Sequence, residues 1–520
     1  MTEQQINFKT KRELDEAILQ DKAIGTPDLQ IGQKYGVSFK YIERLITKTH
    51  GLNVSELKDT KKIKTLHPKD FKEQQTTVWS FKQRGNWATH SGEYRGNWSP
   101  YIPRNIILKY SKPGDIVLDY FCGGGTTAIE CKLLGRRCIA IDINEKAIEL
   151  AKRNTDFSLQ PEQLSLTNEQ KNLCIYEPTL KVGDARDLFF LDDDSIDLIC
   201  AHPPYANIIN YTNSKDGDLS FLDLDHFLNE MSKVAKESFR VLKPGRQCAI
   251  LIGDMRKDKH VIPLGFQLIN VYLDAGFKLR ELVIKRQHNC KTTGFWYANS
   301  VKYNFLLLAH EYLPVFEKPV SGLPADKVEP NVNRPLVAPI LKNLPVNRNV
   351  ENLETTTVWE LPEKSFEQEL NKNIIYRYSD GERFSAISFN FHPTGESNDS
   401  ENSNQENRQL LIIKSPFLDN NPSRLTIEYY LKEVEQIVKH NLSSITKGGF
   451  VVIQTQDLRI DGYIEPLAKR IVDKLTDDNL WLKEIVVLSY KDESLKPQSP
   501  DGFLKIAHKY LLIYEVMKSN

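Results

Sequence analysis

The sequence predicts an α/β protein. A doubly wound parallel sheet forms its centre, a helical segment precedes it, and a second, degenerate α/β repeat follows. Three observations carry this. From about residue 70 to 318, apolar runs of strand length alternate with helical patterns, the signature of strands buried on both faces between helices. Residues 12–50 hold helical periodicity with one sharp break. Four stretches from the first part of the chain return in the same order after residue 350, which indicates duplication.

At 520 residues the chain is too long for one core, and two to four domains is the expected range. Lys plus Arg and Asp plus Glu both number 69, so any basic face for a nucleic acid must be local. The N-terminus is polar from its first residue, so no signal peptide is expected. No apolar run reaches the roughly 20 residues that span a bilayer, and no membrane partner is expected. All seven cysteines lie between 122 and 290, and no CxxC pair occurs. That speaks against a disulfide framework or a bound metal cluster, and for a reducing cytoplasm.

The first domain is read as 1–65. An apolar-periodic segment there meets Gly36-Val37-Ser38, then a second segment with Tyr41, Ile42, Leu45 and Ile46 at helical spacing. Ser38 suits the N-cap of that second helix. Its exposed Lys40, Arg44 and Lys48 give the arrangement of a helix-turn-helix facing DNA, although a plain helical hairpin would read the same way.

The second domain is read as 70–318. Its strands are expected at 115–121, 137–143, 196–201 and 247–254. Its helices are expected at Thr127–Leu134, Glu145–Arg153, His226–Arg240 and Leu264–Ala275. A proline-rich linker, 319–350, separates it from a third domain, 351–520. Residues 395–409 form a polar, low-complexity loop.

The repeat pairs "TTVW" at 76–79 with "TTVW" at 356–359, and "GDMRKDKHVIPLGF" (253–266) with "QDLRIDGYIEPLAK" (456–469). "VLKPGRQCAILIG" matches "SITKGGFVVIQTQ", and "FLLLAHEYLPVFEK" matches "LKIAHKYLLIYEV". From Trp79 to His202 is 123 positions, whereas from Trp359 to Ser415 is 56. The second copy therefore lacks about 67 residues. The missing part includes "VLDYFCGGGTTAIE" and the strand after it.

That segment carries the chemistry of the first copy. A strand runs into Gly123-Gly124-Gly125 and a helix opened by Thr126 and Thr127. Glycines let backbone approach a ligand, and a helix N-terminus presents free N–H groups. Asp142 ends the next strand, 17 residues beyond Gly125, where a carboxylate can accept from both hydroxyls of a ribose. The dinucleotide fingerprint is not met, because Ala128 stands where its third glycine would be. The phosphate-cradling GxxxxGK[ST] pattern is absent too. Further on, the buried run "DLICA" stops at His202-Pro203-Pro204-Tyr205. Two prolines fix φ and donate no backbone hydrogen bond, so the strand ends in a stiff turn.

"DYFCGGGTT" and "HPPY" together resemble the cofactor loop and catalytic motif of the S-adenosylmethionine-dependent DNA amino-methyltransferases. "SPYIPRNIILKYSKPGDIVLDYF", "RGNWATHSGEYRGNWSP" and "RQHNCKTTGFW" resemble other segments of that family over residues 75–318. The resemblance implies a class I methyltransferase (Rossmann-like) fold with S-adenosyl-L-methionine as cofactor. It places Asp119, Phe121, Gly123, Gly125 and Thr126 at the methionine part, Asp142 at the ribose and Asp184 at the adenine amino group. Ser99 and Pro100 belong to the preceding cofactor segment. His202, Pro203, Pro204 and Tyr205 become the catalytic turn, with acceptors for an exocyclic amine and a ring to stack on a flipped base.

The first motif position departs from the family, where acidic, amide or hydroxyl residues are usual. A neutral histidine can still accept one hydrogen bond, whereas a protonated one would only donate. The target, adenine N6 or cytosine N4, is left open by this residue. The second copy keeps Ser415-Pro416-Phe417 without the second proline or the glycine loop, so it is expected neither to bind cofactor nor to catalyse. It is read as a pseudo-partner that mimics a dimer, or as a structural remnant. Trp87, Trp98, Arg84, Arg95, Arg286 and Lys291 interleave basic and aromatic character, as contacts to phosphates and bases would require.

The reading is a cytoplasmic, site-specific DNA methyltransferase acting on double-stranded DNA. Whether it is paired with a restriction or other defence system is left open. Two other readings use the same residues. One is an RNA base methyltransferase of the guanine-N2 type, whose motif is chemically equivalent. The other is a DNA-binding regulator with a dead core.

Overall fold

Between Ile116 and Ile250 the apolar runs of the sequence fold as strands and the periodic segments between them as helices. The computed structural model describes residues 10–23, 26, 28–38, 41–42, 45, 63–69, 71–92, 94, 96–159, 174–204, 219, 222–288, 300, 302–320, 335–341, 353–379, 384–391, 408–415, 422–491 and 502–517. The chain divides into two compact units, residues 1–72 with 83–250, and residues 73–82 with 251–520.

The first unit opens with α1 (Lys11–Ala23) and α2 (Asp28–Tyr35). Ile18 and Ile31 bury together with Ile42 and Leu45. Ser38 Oγ accepts from Tyr41 N at 3.3 Å, the cap its position suggests. Lys40, Arg44 and Lys48, read as DNA contacts, lie outside the described residues.

The strand β1 (Val78–Ser80) belongs to the second unit. The first unit continues with α3 (Tyr101–Tyr110), β2 (Ile116–Asp119), α4 (Thr126–Leu133), β3 (Arg137–Asp142) and α5 (Glu145–Thr155). Then come β4 (Thr179–Val182), β5 (Ile196–Ala201), α6 (Leu224–Val241) and β6 (Leu242–Ile250). The expected strand at 247–254 starts earlier and stops at Ile250.

Side-chain caps start two of these helices. Asn144 accepts from Lys146 N to open α5, and Asp223 accepts from His226 N to open α6. In α6, Phe227, Met231, Val234, Ala235, Ser238 and Val241 face inward, the spacing of one helical face. All six residues of β5 are buried, so the strand reads as an unbroken apolar run rather than an alternation.

The strands stand in the order β6-β5-β2-β3-β4, every neighbour parallel. The chain winds outward from β2 to one side through β3 and β4, then returns to the other side through β5. The carboxyl ends of β2 and β5 thus flank the switch point, where open parallel sheets bind ligands.

In the second unit a hairpin, β7 (Met255–Lys257) and β8 (His260–Ile262), precedes α7 (Leu264–Asp274). β9 (Lys278–Arg286) then pairs parallel with β1 and antiparallel with β10 (His310–Glu317). A seven-stranded sheet follows. Its strands are β11 (Pro335–Leu341), β12 (Val358–Leu361), β13 (Phe384–Phe391), β14 (Arg408–Lys414), β15 (Ile445–Thr455), β18 (Leu480–Tyr490) and β19 (Lys509–Val516). They lie in the order β11-β13-β14-β15-β19-β18-β12. The helices are α8 (Phe366–Tyr378), α9 (Arg424–Asn441) and α10 (Leu467–Lys474), and a second hairpin joins β16 (Leu458–Ile460) to β17 (Tyr463–Glu465).

Part of the segment expected as linker is therefore a strand: β11 pairs antiparallel with β13. Proline is compatible with an edge strand, where one side of the backbone has no ladder partner.

The two stretches matched by sequence also match in detail. Trp79 Nε1 donates to Thr76 O, and Trp359 Nε1 to Thr356 O, both at 2.9 Å. β12 is parallel to β18 as β1 is to β9, and β18 is antiparallel to β19 as β9 is to β10. Both hairpins turn through two residues of positive φ, Asp258-Lys259 and Asp461-Gly462, the geometry that fits the twist of paired strands.

Candidate active site

The glycine loop lies at the carboxyl end of β2. Gly123 and Gly125 take φ of 48° and 82°, a region other residues enter only with strain. A Cβ on Gly123 would stand 2.9 Å from the Tyr94 ring. The loop is held from both flanks. Gly123 N donates to Asp142 Oδ2 at 2.9 Å, and Gly124 N donates to Asn97 Oδ1 at 3.1 Å. Asn154 Nδ2 donates to Gly124 O at 2.8 Å.

Asp119 sits just behind this surface. Its carboxylate accepts from Phe121 N at 3.0 Å and from Thr127 Oγ1 at 2.5 Å. Burial pushes that carboxyl up to about 7, against the lowering effect of those two hydrogen bonds, and the charge of Asp142 adds to the rise.

A cleft of about 620 Å³, including its open mouth, fills the switch point, the size of an ordinary small-molecule site. Phe121, Gly123, Asp142 and Asp184 line it, and so do His202 and Pro204 from the end of β5. Two motifs almost eighty positions apart thus share one cavity. Asp142 also accepts from Asn144 N at 2.9 Å, which fixes its carboxylate at the strand end.

Asp184 is engaged by its own neighbour. Arg186 makes a fork to both of its oxygens, with Nη2 to Oδ2 at 2.6 Å, and reaches Glu230 at 2.5 Å. Burial alone would raise the Asp184 carboxyl. The Arg186 hydrogen bonds and charge outweigh burial and hold it below its ordinary value.

His202 stacks on Trp98, with ring centroids 5.7 Å apart and planes 19° apart. Trp98 and the Asn97 and Tyr94 of the cleft come from one stretch, 84–98. That stretch is pinned by a buried cluster on α4. Glu130, fully buried, accepts from Trp87 Nε1 and Arg104 Nη1 and meets His90 Nε2, each at 2.7 Å. Two partners and a charge are needed there, because an unpaired buried carboxylate is strongly destabilising. Arg84, read as a phosphate contact, instead donates to Asn97 O and Ser91 O at 2.6 and 3.0 Å. Trp87 is a core residue. Both shape the loop from inside.

Ser99, Pro100, Asp119, Gly125, Thr126 and Pro203 are not among the residues that line the cleft. Ser99 Oγ donates to Arg84 O at 2.6 Å, and Pro100 is the N-cap of α3. Arg286, at the end of β9 in the second unit, ion-pairs with Glu360. Tyr205, Lys291 and Arg95 lie outside the described residues. Sequence reasoning missed Tyr94, Gly96, Asn97, Tyr120, Ile143, Gly183, Ala185 and Leu219 in the lining. Ile143 and Ala185 each directly follow a predicted acidic residue, a signal that could have found them. Nothing local distinguishes Asn97 or Leu219.

A parallel sheet of this order with a glycine loop at its switch point defines the class I, Rossmann-like methyltransferase fold. A family model described as DNA methylase matches residues 34–153 and 196–396, and one described as methyltransferase domain matches 111–261. The first covers more than half of the chain, which belongs to the N6/N4 DNA methylase family.

The Type II methyltransferase M.HinfI of Haemophilus influenzae is 28% identical over 191 residues, 32% of this chain and 53% of that protein. A tRNA (guanine(10)-N2)-dimethyltransferase of Methanothermobacter thermautotrophicus is 31% identical over 136 residues, 26% of this chain and 35% of that protein. Among the first relatives, the chain spans between 28% and 53% of their own length. A crystal structure of a SAM-dependent methyltransferase from Methanosarcina mazei aligns over 42% of this chain and 98% of that one. Its identity is 19% and its TM-score 0.29.

Proposed function

We propose that the chain is a site-specific DNA amino-methyltransferase that carries a methyl group to adenine N6 or cytosine N4 of a flipped base. One observation supports this above the others: His202 and Pro204 open into the cleft that holds the glycine loop and Asp142.

The cleft's donor set fits S-adenosylmethionine. Asp142 is a fixed acceptor for a ribose diol, and Ile143 and Ala185 supply apolar walls for a flat base beside it. Asp184, held ionised by Arg186, keeps lone pairs for an amino group. Phe121, Tyr94 and the glycine loop would take the methionine end. When bound, S-adenosylmethionine supplies an electrophilic sulfonium methyl.

The chain's own residues then act on the base. An exocyclic amine is a weak nucleophile because its lone pair is delocalised into the ring. The Pro203 carbonyl and the neutral His202 nitrogen accept from its two N–H bonds and favour the charge that grows on nitrogen. Trp98, stacked on His202, holds that ring in one plane. Tyr205 would stack on the extruded base. Lys40, Arg44 and Lys48, and also Arg286 and Lys291, would contact double-stranded DNA. The chain would work in the cytoplasm, and among the described residues no helix is long and apolar enough to cross a membrane.

The tRNA relative favours a second reading, transfer to guanine N2 of RNA. Incubation with labelled cofactor and either duplex DNA or tRNA separates the two. Label in DNA, removed by His202→Ala, is the expected outcome, and label confined to tRNA would replace the first reading with the second. Mapping modified bases in DNA from cells expressing the protein would then assign adenine or cytosine.

A further inference from the structure

Within the second unit, the end of the first repeat and the second repeat touch through contacts that come in mirrored pairs. Arg256 ion-pairs with Glu484 at 2.5 Å and donates to Leu306 O at 2.8 Å, while Leu306 N donates to Glu484 Oε1 at 2.8 Å. Their repeat counterparts do the same in reverse. Arg459 ion-pairs with Glu281 and donates to Leu504 O at 3.2 Å, while Leu504 N donates to Glu281 Oε1 at 3.0 Å.

The threonines of the two TTVW stretches mirror each other as closely. Thr77 N donates to Lys505 O at 2.9 Å, and Thr357 N donates to Leu307 O at 2.9 Å. Thr77 Oγ1 accepts from Ala507 N at 3.0 Å and lies 2.7 Å from His508 Nδ1. Thr357 Oγ1 accepts from Ala309 N at 3.0 Å and lies 2.8 Å from His310 Nδ1. Each strand lead-in thus stitches its own β9 or β18 to a segment of the opposite repeat, since Thr77 O accepts from Ile284 N and Thr357 O from Val487 N.

When residue i of one copy meets j of the other and j meets i, the interface is isologous, the form a two-fold dimer takes. We propose that the second repeat is a built-in partner subunit. Its retained work is to complete a pseudo-two-fold interface that the first repeat cannot leave open. Both threonines and both glutamates are fully buried. Alone, the first repeat would present Glu281 without its arginine and Thr77 without its amide, and such buried groups are costly unpaired. This also accounts for the pattern of decay. The matched stretches supply the threonines and arginines of the mirrored contacts and the equivalent strands β9 and β18 supply the glutamates, whereas the glycine loop, which no mirrored contact uses, is missing.

The test uses the full chain with a protease site inserted between Ser321 and Gly322, cut after folding and followed by gel filtration and ultracentrifugation. The two pieces should stay together at micromolar concentration with the mass of the uncut chain. Thr77→Val and Thr357→Val are isosteric and leave one buried amide unpaired each, so each should weaken association of the cut pieces about tenfold or more. Thr77→Ser and Thr357→Ser keep the oxygen and should leave association as it was. Circular dichroism of the uncut variants verifies folding. The proposal fails if the wild-type pieces separate, or if either valine variant associates as tightly as its serine control. The readout is association, so it is independent of whether the substrate is DNA or RNA.

Discussion

The strands β5 and β14 hold corresponding places in the two repeats, each parallel to the strand that follows its helix, β6 or β15. Their other neighbours differ. β5 lies beside β2, whose end carries the glycine loop, whereas β14 lies beside β13, which pairs onward to the edge strand β11. After β5 comes the His202-Pro203-Pro204 turn at a cleft, and after β14 comes the buried Ser415. A parallel sheet needs a neighbour on each side to satisfy its backbone, and almost any strand supplies that. A cleft needs particular loops. Strand pairing can therefore be kept where the loops of a cleft are absent.

The largest expected effect tests the scaffold that only the first repeat has. Glu130→Ala leaves Arg104 and His90 buried without their carboxylate and should cost about 3–5 kcal/mol of stability. Urea unfolding of the first unit measures it, and an unchanged midpoint would mean that the cluster does not hold the 84–98 loop. Next comes the contrast between the two turns. His202→Ala should slow methyl transfer by about 10²–10³ with cofactor affinity retained. Ser415→Ala should leave transfer unchanged. Equal effects at both would remove the distinction between an active and a decayed copy.

A smaller effect belongs to the ribose position. Asp142→Ala removes acceptors for two hydroxyls and should weaken cofactor binding by about 10- to 100-fold, read by calorimetry. One site per chain is expected, and two equal sites would overturn the contrast. The smallest effect is a pH dependence. The Asp119 carboxyl rises from 3.8 to about 7 in the folded state, so the fold favours its protonated form. Its stabilising contribution is complete below about 3.8 and is lost as pH rises through about 7. Asp119→Asn, which stays neutral, should flatten the melting temperature across that window.

Much of this was legible in the sequence. The runs at 116–119, 137–142 and 196–201 are strands, and the helices between them begin within two residues of their expected starts. Their signals are local: apolar periodicity, an Asn or Asp cap, a glycine that must turn. The matched stretches were legible too, and the strands beside them pair in the same way, β1 on β9 as β12 on β18.

The cleft was legible only in part. The sequence singled out Gly123, Asp142 and His202, residues whose chemistry is unusual where they stand. It did not show Asn97 on the glycine loop, Trp98 against His202 or Arg186 on Asp184. Nor did it show that Arg84 serves its own loop.

The sequence by itself determined the alternation of strands and helices around the glycine loop, the glycine loop itself, the stiff proline turn and the stretches that return after residue 350. Those follow from interactions between residues a few positions apart. Only the tertiary structure decided which side chains meet across 43 positions, as Trp87 and Glu130 do, or across 430, as Thr77 and Ala507 do. Such meetings depend on how whole elements pack, and no periodicity within one element encodes its distant partner.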